Sequence, residues 1–486
     1  MTTRRLFLAA APCALAALCA APAAAQQTLT LQQAIGLAQR QGLPARAALG
    51  ARDAARARDR VFDAQYRPGL SITGTAPTYS SSITPVTQPD GSILYRSVTQ
   101  TQGSLTASIL QRIPWTNTTL SFNSGLSQVQ RSGTESFRSW SSTPFSVGIS
   151  QPILRANAQH WDTRQQELRY ESAERRWLEA REDVAVAVTG AFFDLYAATL
   201  ALRNSTANAA TNDTLFTLNK GRYEVGKIGE NDLLQSELAL LRSRAALEDA
   251  RLGRDRALSQ FRIALNLPPG SPVDITVSPR VPDVNADTAL AVEQARRNVA
   301  AMSDADLADV AGDRAVSEAR WNTAPGGTLT ASYGYNATAG TAPEVYKNLL
   351  DARQLTFGVN IPVWQWGAHS QQVAAAKADR ESAKSNAQTS RAQAVHNAHF
   401  AALQLAQARR TLTISAKADT VAQKRFEVAY NRYVIGRITM DNLYLAQNEK
   451  DQALNAYVQA MRGYWVAYYQ LRKSTLFDFE VGTAIR

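Results

Sequence analysis

The chain has 486 residues, 45% of them hydrophobic and 19% charged, with 52 Lys and Arg against 41 Asp and Glu for a net charge of +11. The basic residues are scattered and do not cluster with aromatics, which excludes a nucleic-acid reading and leaves a solvated basic surface, with anionic lipid or anionic cargo as the alternative partner. Its two cysteines, Cys13 and Cys19, both stand near the amino terminus, so the rest of the chain has no disulfide and no cysteine metal site.

Arg4-Arg5, an apolar run from Leu6 to Ala21 and Ala23-Ala24-Ala25 have the charged, hydrophobic and small-residue parts of a secretory signal, which predicts a signal peptide over 1–25. Cleavage after Ala25 removes both cysteines. Lipidation at Cys19 is the alternative, and the bulky Leu18 before it speaks against it. No later stretch approaches the roughly 20 consecutive apolar residues of a membrane helix. An exported chain of this kind enters a membrane only as a closed β-barrel.

The remainder divides into a first repeat over 26–267, a Pro- and Ser-rich linker over 268–285 and a second repeat over 286–486. Each repeat predicts a helix (31–66 and 289–321) stopped by Pro68 or Pro325, then strands, then a very long helix (160–223 and 369–433), a glycine turn and a second long helix (232–265 and 441–472). Arg222-Tyr223-Glu224-Val225-Gly226 recurs as Arg432-Tyr433-Val434-Ile435-Gly436, an offset of 210 that also relates Gly148 to Gly358 and Pro152 to Pro362. Upstream, Ala34, Ala38 and Pro68 match Ala291, Ala295 and Pro325 at an offset of 257, so the first copy carries 47 extra residues before Gly148. A repeat this long is a duplicated domain half, and the extra residues read as an inserted hairpin.

The strands alternate with period 2. Leu329, Ala331, Tyr333 and Tyr335 face away from Thr330, Ser332 and Gly334; Leu355, Phe357 and Val359 face away from Thr356 and Gly358; Phe145, Val147 and Ile149 face away from Ser146 and Gly148. The inserted hairpin, about 80–130, repeats the pattern with Leu105, Ala107, Ile109, Leu120 and Phe122, joined through Pro114-Trp115-Thr116-Asn117. Alternation fits a soluble half-buried sheet as well as a barrel. The signal segment and the strand-end aromatics Trp115, Trp140, Trp161, Trp364 and Trp366 favour the barrel. Whether the hairpin joins it is open: with it the chain offers six strands, without it four.

Ala185, Val188, Phe192, Leu195, Thr199 and Leu202 form a heptad-like seam, repeated as Val395, Ala398, Ala402, Leu405, Arg409 and Leu412. About sixty residues of helix span roughly 90 Å. With a narrow apolar stripe, such helices pack sideways on one another.

The duplicated Arg-Tyr-x-x-Gly turns, Leu29-Thr30-Leu31-Gln32-Gln33-Ala34 and Gln151-Pro152-Ile153-Leu154 together give a chain that resembles the TolC-type outer-membrane efflux family over essentially its whole mature length. The resemblance implies a mixed, mainly α fold, the duplicated outer-membrane factor: long antiparallel coiled-coil helices forming a periplasmic α-barrel tunnel, plus a transmembrane β-barrel shared by a homotrimer. It implies an outer-membrane exit duct of a tripartite efflux or type I secretion system, with a periplasmic adaptor and an inner-membrane pump of RND or ABC type as partners. It implies no catalysis and no cofactor. The tip residues it marks for gating or adaptor docking are Arg222, Tyr223, Gly226, Asp232, Arg432, Tyr433, Gly436, Arg437 and Asp441. Asp232 matches the family's acidic tip residue, and Tyr433 a tyrosine that holds the gate shut, with ordinary helix packing as its other reading.

The match is incomplete at the second tip, where the family has an arginine and two aspartates and this chain has Ile438, Asn442 and Leu445. Arg437 and Asp441 are each one residue away, a rotation of about 100 degrees on a helix, which leaves an acidic ring in doubt. Elsewhere, His396 and His399 lie one turn apart without an evident third ligand, and Asp304 and Asp306 point to opposite sides if extended. A periplasmic adaptor or a structural coiled-coil envelope protein is the alternative function, although an adaptor would carry one helical hairpin rather than two equal copies.

Overall fold

The computed structural model describes residues 27–132, 136–278, 281, 282 and 284–486. The expected signal peptide, its cleavage site and Cys19 lie outside the described residues. In chain order the elements are β1 (Gln27–Leu29), α1 (Leu31–Gln41), α2 (Leu43–Ala64), β2 (Gly69–Thr87), β3 (Ile93–Ile113), β4 (Thr118–Ser132), β5 (Phe137–Ile153), α3 (Ala158–Glu224) and α4 (Glu230–Ala264). After β6 (Val273–Ile275) the order repeats with α5 (Thr288–Asn298), α6 (Ala300–Asn322), β7 (Gly326–Ala339), β8 (Leu350–Asn360), α7 (Ala368–Val434) and α8 (Met440–Thr475), followed by β9 (Phe477–Asp478) and β10 (Thr483–Ala484).

Both predicted first helices are broken in two. The physical causes differ between the copies. In the first, Pro44 has no N–H to donate back into α1, so the chain leaves the helix at Gly42, whose own N–H still reaches Ala38 O at 2.8 Å. In the second, Val299 is extended, and the half-buried Glu179 carboxylate accepts the Ala300 N–H at 2.8 Å to restart the helix. Thr30 and Gln33 form a reciprocal capping box at the start of α1, with bonds of 3.3 and 2.9 Å, which gives the Leu-Thr-Leu-Gln-Gln-Ala segment its structural reason.

The chain forms two compact units. The first comprises Met1–Leu43, Val184–Pro282 and Ile414–Arg462. Its seam is built on α3, where Ala185, Val188, Phe192 and Leu195 are buried and Phe192 meets Phe261 of α4 edge-on at 5.9 Å. Polar bridges join α3 to α8, with Asn204 and Asn208 both donating to the Asp451 carboxylate at 2.7 and 2.8 Å. The linker is more ordered than its composition predicts, because β6 pairs in parallel with β1.

The second unit comprises Pro44–Asp183, Asp283–Thr413 and Gly463–Arg486. The second-copy seam is buried here at Ala398, Ala402 and Leu405. Tyr464, Trp465, Tyr468 and Tyr469 of α8 are buried beside Arg472, which pairs with the nearly inaccessible Glu182 at 3.0 Å and with Asp478. Burial opposes the charge on Arg472, but the Glu182 carboxylate outweighs it and raises the guanidinium's pKa. Asp304 and Asp306 are helical rather than extended. Asp304 receives Ser172 Oγ at 2.5 Å and Arg176 at 2.8 Å, while Asp306 pairs with Arg391 at 2.6 Å, so they brace separate helices.

The six long strands of this unit form one antiparallel sheet in the order β2-β3-β4-β5-β7-β8. The inserted hairpin is β3–β4, and it lies inside the sheet, paired with β2 on one side and β5 on the other. One expectation fails: α3 contains a window long and apolar enough, by length and composition, to cross a membrane. Its physical reason is packing, because that helix supplies the buried Val184, Ala185, Val188, Phe192, Phe193 and Leu195.

Candidate functional site

The two repeated turns have the same backbone. After α3, Gly226 N–H bonds Tyr223 O at 2.9 Å and Lys227 N–H bonds Arg222 O at 2.8 Å; after α7, Gly436 N–H bonds Tyr433 O and Arg437 N–H bonds Arg432 O, both at 2.9 Å. These are paired Schellman caps, and they require the residue after the helix to be left-handed. Gly226 at φ +67° and Gly436 at φ +73° meet that requirement without a Cβ clash.

The side chains depart from the repeat. Tyr433 is buried, whereas its counterpart Tyr223 is 41% exposed. The Tyr433 hydroxyl donates to Asn219 Oδ1 at 2.8 Å, and Asn219 is itself fully buried on α3. Around this bond, Leu215, Met440 and Leu443 form a core, with Ile438 and Tyr444 packed against it. Burial, with a smaller contribution from Tyr433, pushes the Tyr444 hydroxyl up to about 12.

Arg222 completes the clamp. Its guanidinium lies 5.4 Å from the Tyr433 ring centroid and donates to Val434 O at 3.0 Å, so the first tip caps an orphan carbonyl at the end of α7. Gln235 on α4 donates to Asp441 Oδ1 at 2.6 Å. Together these groups border a cavity of about 520 Å³ lined by Arg222, Asp232, Gln235, Tyr433, Thr439 and Asp441.

Of the residues singled out from sequence, the fold gathers Arg222, Asp232, Tyr433 and Asp441, with Gly226 and Gly436 shaping the turns. Tyr223, Arg432 and Arg437 are not drawn into the clamp and are partly or largely open to solvent. Ile438 is packed and Asn442 donates to Thr439 Oγ1 at 3.0 Å, so these two departures serve local structure, while Leu445 is half exposed. Sequence reasoning missed Asn219, Gln235 and Met440. Asn219 left a signal: 210 residues later stands Ala429, so only one of the two tyrosines finds an amide acceptor.

His396 lies against Phe400 with ring centroids 4.4 Å apart and planes tilted by 40°, and His399 borders a separate cavity with Thr288 and Arg296. Among the described residues no group of three or more His, Cys, Asp or Glu is placed to hold a metal ion.

The chain carries a duplicated pair of long helical hairpins and an antiparallel sheet of six long strands. The model of the outer membrane efflux protein family matches residues 111–267. The fold is also that of the Campylobacter jejuni CmeC outer membrane channel (TM-score 0.67, 15% identity, covering 94% of this chain and 87% of that one). It is likewise that of the Vibrio cholerae outer membrane protein VceC (0.64, 14%, 94% and 97%) and of the open state of the Neisseria gonorrhoeae MtrE outer membrane channel (0.62, 14%, 92% and 88%). No curated protein matches the chain. Residues 111–267 are thus similar to the outer membrane efflux protein family, and the fold over nearly the whole chain is that of outer-membrane channels.

Proposed function

We propose that this chain is an outer-membrane efflux channel that works as a homotrimer and as the passive exit duct of a tripartite efflux or type I secretion machine. An inner-membrane pump of RND or ABC type delivers the cargo, and a periplasmic adaptor docks on the tips around Gly226 and Gly436. The observation that carries this reading is the chemistry of those tips: Val225 and Ile435 are 67% and 64% exposed at the ends of two equal hairpins. Apolar side chains held out by rigid caps suit a docking surface and do nothing for the stability of a free chain. Under this proposal the Arg222–Tyr433–Asn219 clamp holds the tips in one arrangement, and adaptor binding selects another.

A photocrosslinking residue at Val225 or Ile435 should capture an adaptor in intact cells, and mass photometry of the solubilised protein should give trimers. A stable monomer that conducts by itself, or tips that capture no envelope protein, would refute the proposal.

A further inference from the structure

Resting on the trimer just proposed, we infer that six strands of each chain line the outer membrane and that the shared barrel closes with eighteen strands. The register decides this. Across the sheet, Ile72 stands opposite Ala107, Leu70 opposite Ile109, Ile109 opposite Phe122, Phe122 opposite Val147, Val147 opposite Tyr333, and Ala331 opposite Leu355. Cross-strand partners share a face, so one apolar surface runs unbroken through the inserted hairpin and into both repeats. The opposite face is small and polar along the same line: Thr73, Thr106, Gly125 and then Ser121, Gly148 and Ser332.

Two further features bear on closure. A hairpin held between β2 and β5 by two long ladders, each interrupted by one register shift, cannot leave the barrel without stranding the backbone groups of both neighbours, which lipid does not tolerate. Among the described residues, the only long-strand edges left unpaired are those of β2 and β8, the first and last of the sheet. β2 follows α2 and β8 precedes α7, so they run in opposite directions and the partner that fits each edge is a second copy of this chain. Three copies joined β8 to β2 give an even, fully antiparallel barrel of eighteen strands, in the range where porins hold an aqueous channel. Relative to a twelve-stranded barrel the diameter grows about 1.5-fold and the open area about twofold, since diameter is roughly linear in strand number.

The test is site-directed labelling of trimers in lipid nanodiscs with a membrane-impermeant maleimide. Single cysteines at Ala107, Ile109 and Phe122 should stay unlabelled, cysteines at Ser108 and Asn123 should label from the lumen, and all five should label after denaturation. Equal labelling of both faces in a trimer would overturn the inference and leave the trimeric duct standing. Absence of trimers by mass photometry would instead overturn the reading on which it rests. Electron microscopy of the same nanodiscs gives an independent count, and a closed barrel of twelve strands would refute the inference whatever the labelling shows.

Discussion

The hydroxyl of Tyr433 bonds Asn219 at 2.8 Å in a buried setting, and these residues belong to different copies of the repeat. The bond therefore ties the two hairpins of one chain together. A net neutral hydrogen bond is worth about 1 kcal/mol, which shifts a two-state gate several-fold. Tyr433→Phe should raise single-channel open time or conductance without lowering the yield of assembled protein. Tyr223→Phe, altering an exposed hydroxyl, should match the parent protein in the same bilayer recording. Equal behaviour of all three would reduce Tyr433 to a packing residue.

Arg222 acts on the same clamp through its charge and its planar fork. Arg222→Lys keeps the charge but loses the stacking geometry over Tyr433, so it should behave nearer to Arg222→Gln than to the parent. Double-mutant recordings of Arg222→Gln with Tyr433→Phe should give less than the sum of the single effects, because both changes release the end of α7. Additive effects would place the two residues in separate constraints.

The turn glycines make a narrower prediction. Gly436→Ala forces a Cβ into a left-handed backbone and should destabilise the local cap by about 1 kcal/mol. Nothing lies within 4 Å of an added Cβ at this position, so the effect comes from the backbone alone. Hydrogen exchange at the last turn of α7 should speed up accordingly, while exchange in the six-stranded sheet stays as in the parent.

In the second unit, truncating one partner of the Arg472–Glu182 pair leaves the other charge buried. Arg472→Met should cost about 3 to 5 kcal/mol, seen as a large fall in the denaturation midpoint. The double change Arg472→Met with Glu182→Gln should recover part of that loss, because the more deeply buried of the two carboxylates is then neutral and only Asp478 is left without Arg472.

Glu179 gives a pH signature. Burial raises its pKa, partly offset by the Ala300 N–H and by Lys473. The folded pKa is thus above the unfolded one, so the stabilising contribution is complete below the ordinary glutamate range and is lost as pH rises through the raised value. Thermal unfolding across that window should show Glu179→Gln losing less stability with rising pH than the parent, with the α6 cap kept by the amide oxygen. Parallel profiles would exclude the effect.

The sequence by itself determined the long helices, the alternation of the strands and the offset between the two glycine turns, because each is written in local periodicity or in a fixed spacing. It also marked both turn glycines, since a Schellman cap has a backbone requirement that few residues meet. The tertiary structure alone decided which member of each repeated pair does what. Tyr223 and Tyr433 occupy equivalent turns, yet one is exposed and the other is bonded, and that difference depends on Asn219, which stands a full turn earlier on another helix. It likewise decided that β3 and β4 enter the middle of the sheet, because strand order follows from which backbone edges meet in space, and alternation within a strand is blind to its neighbours.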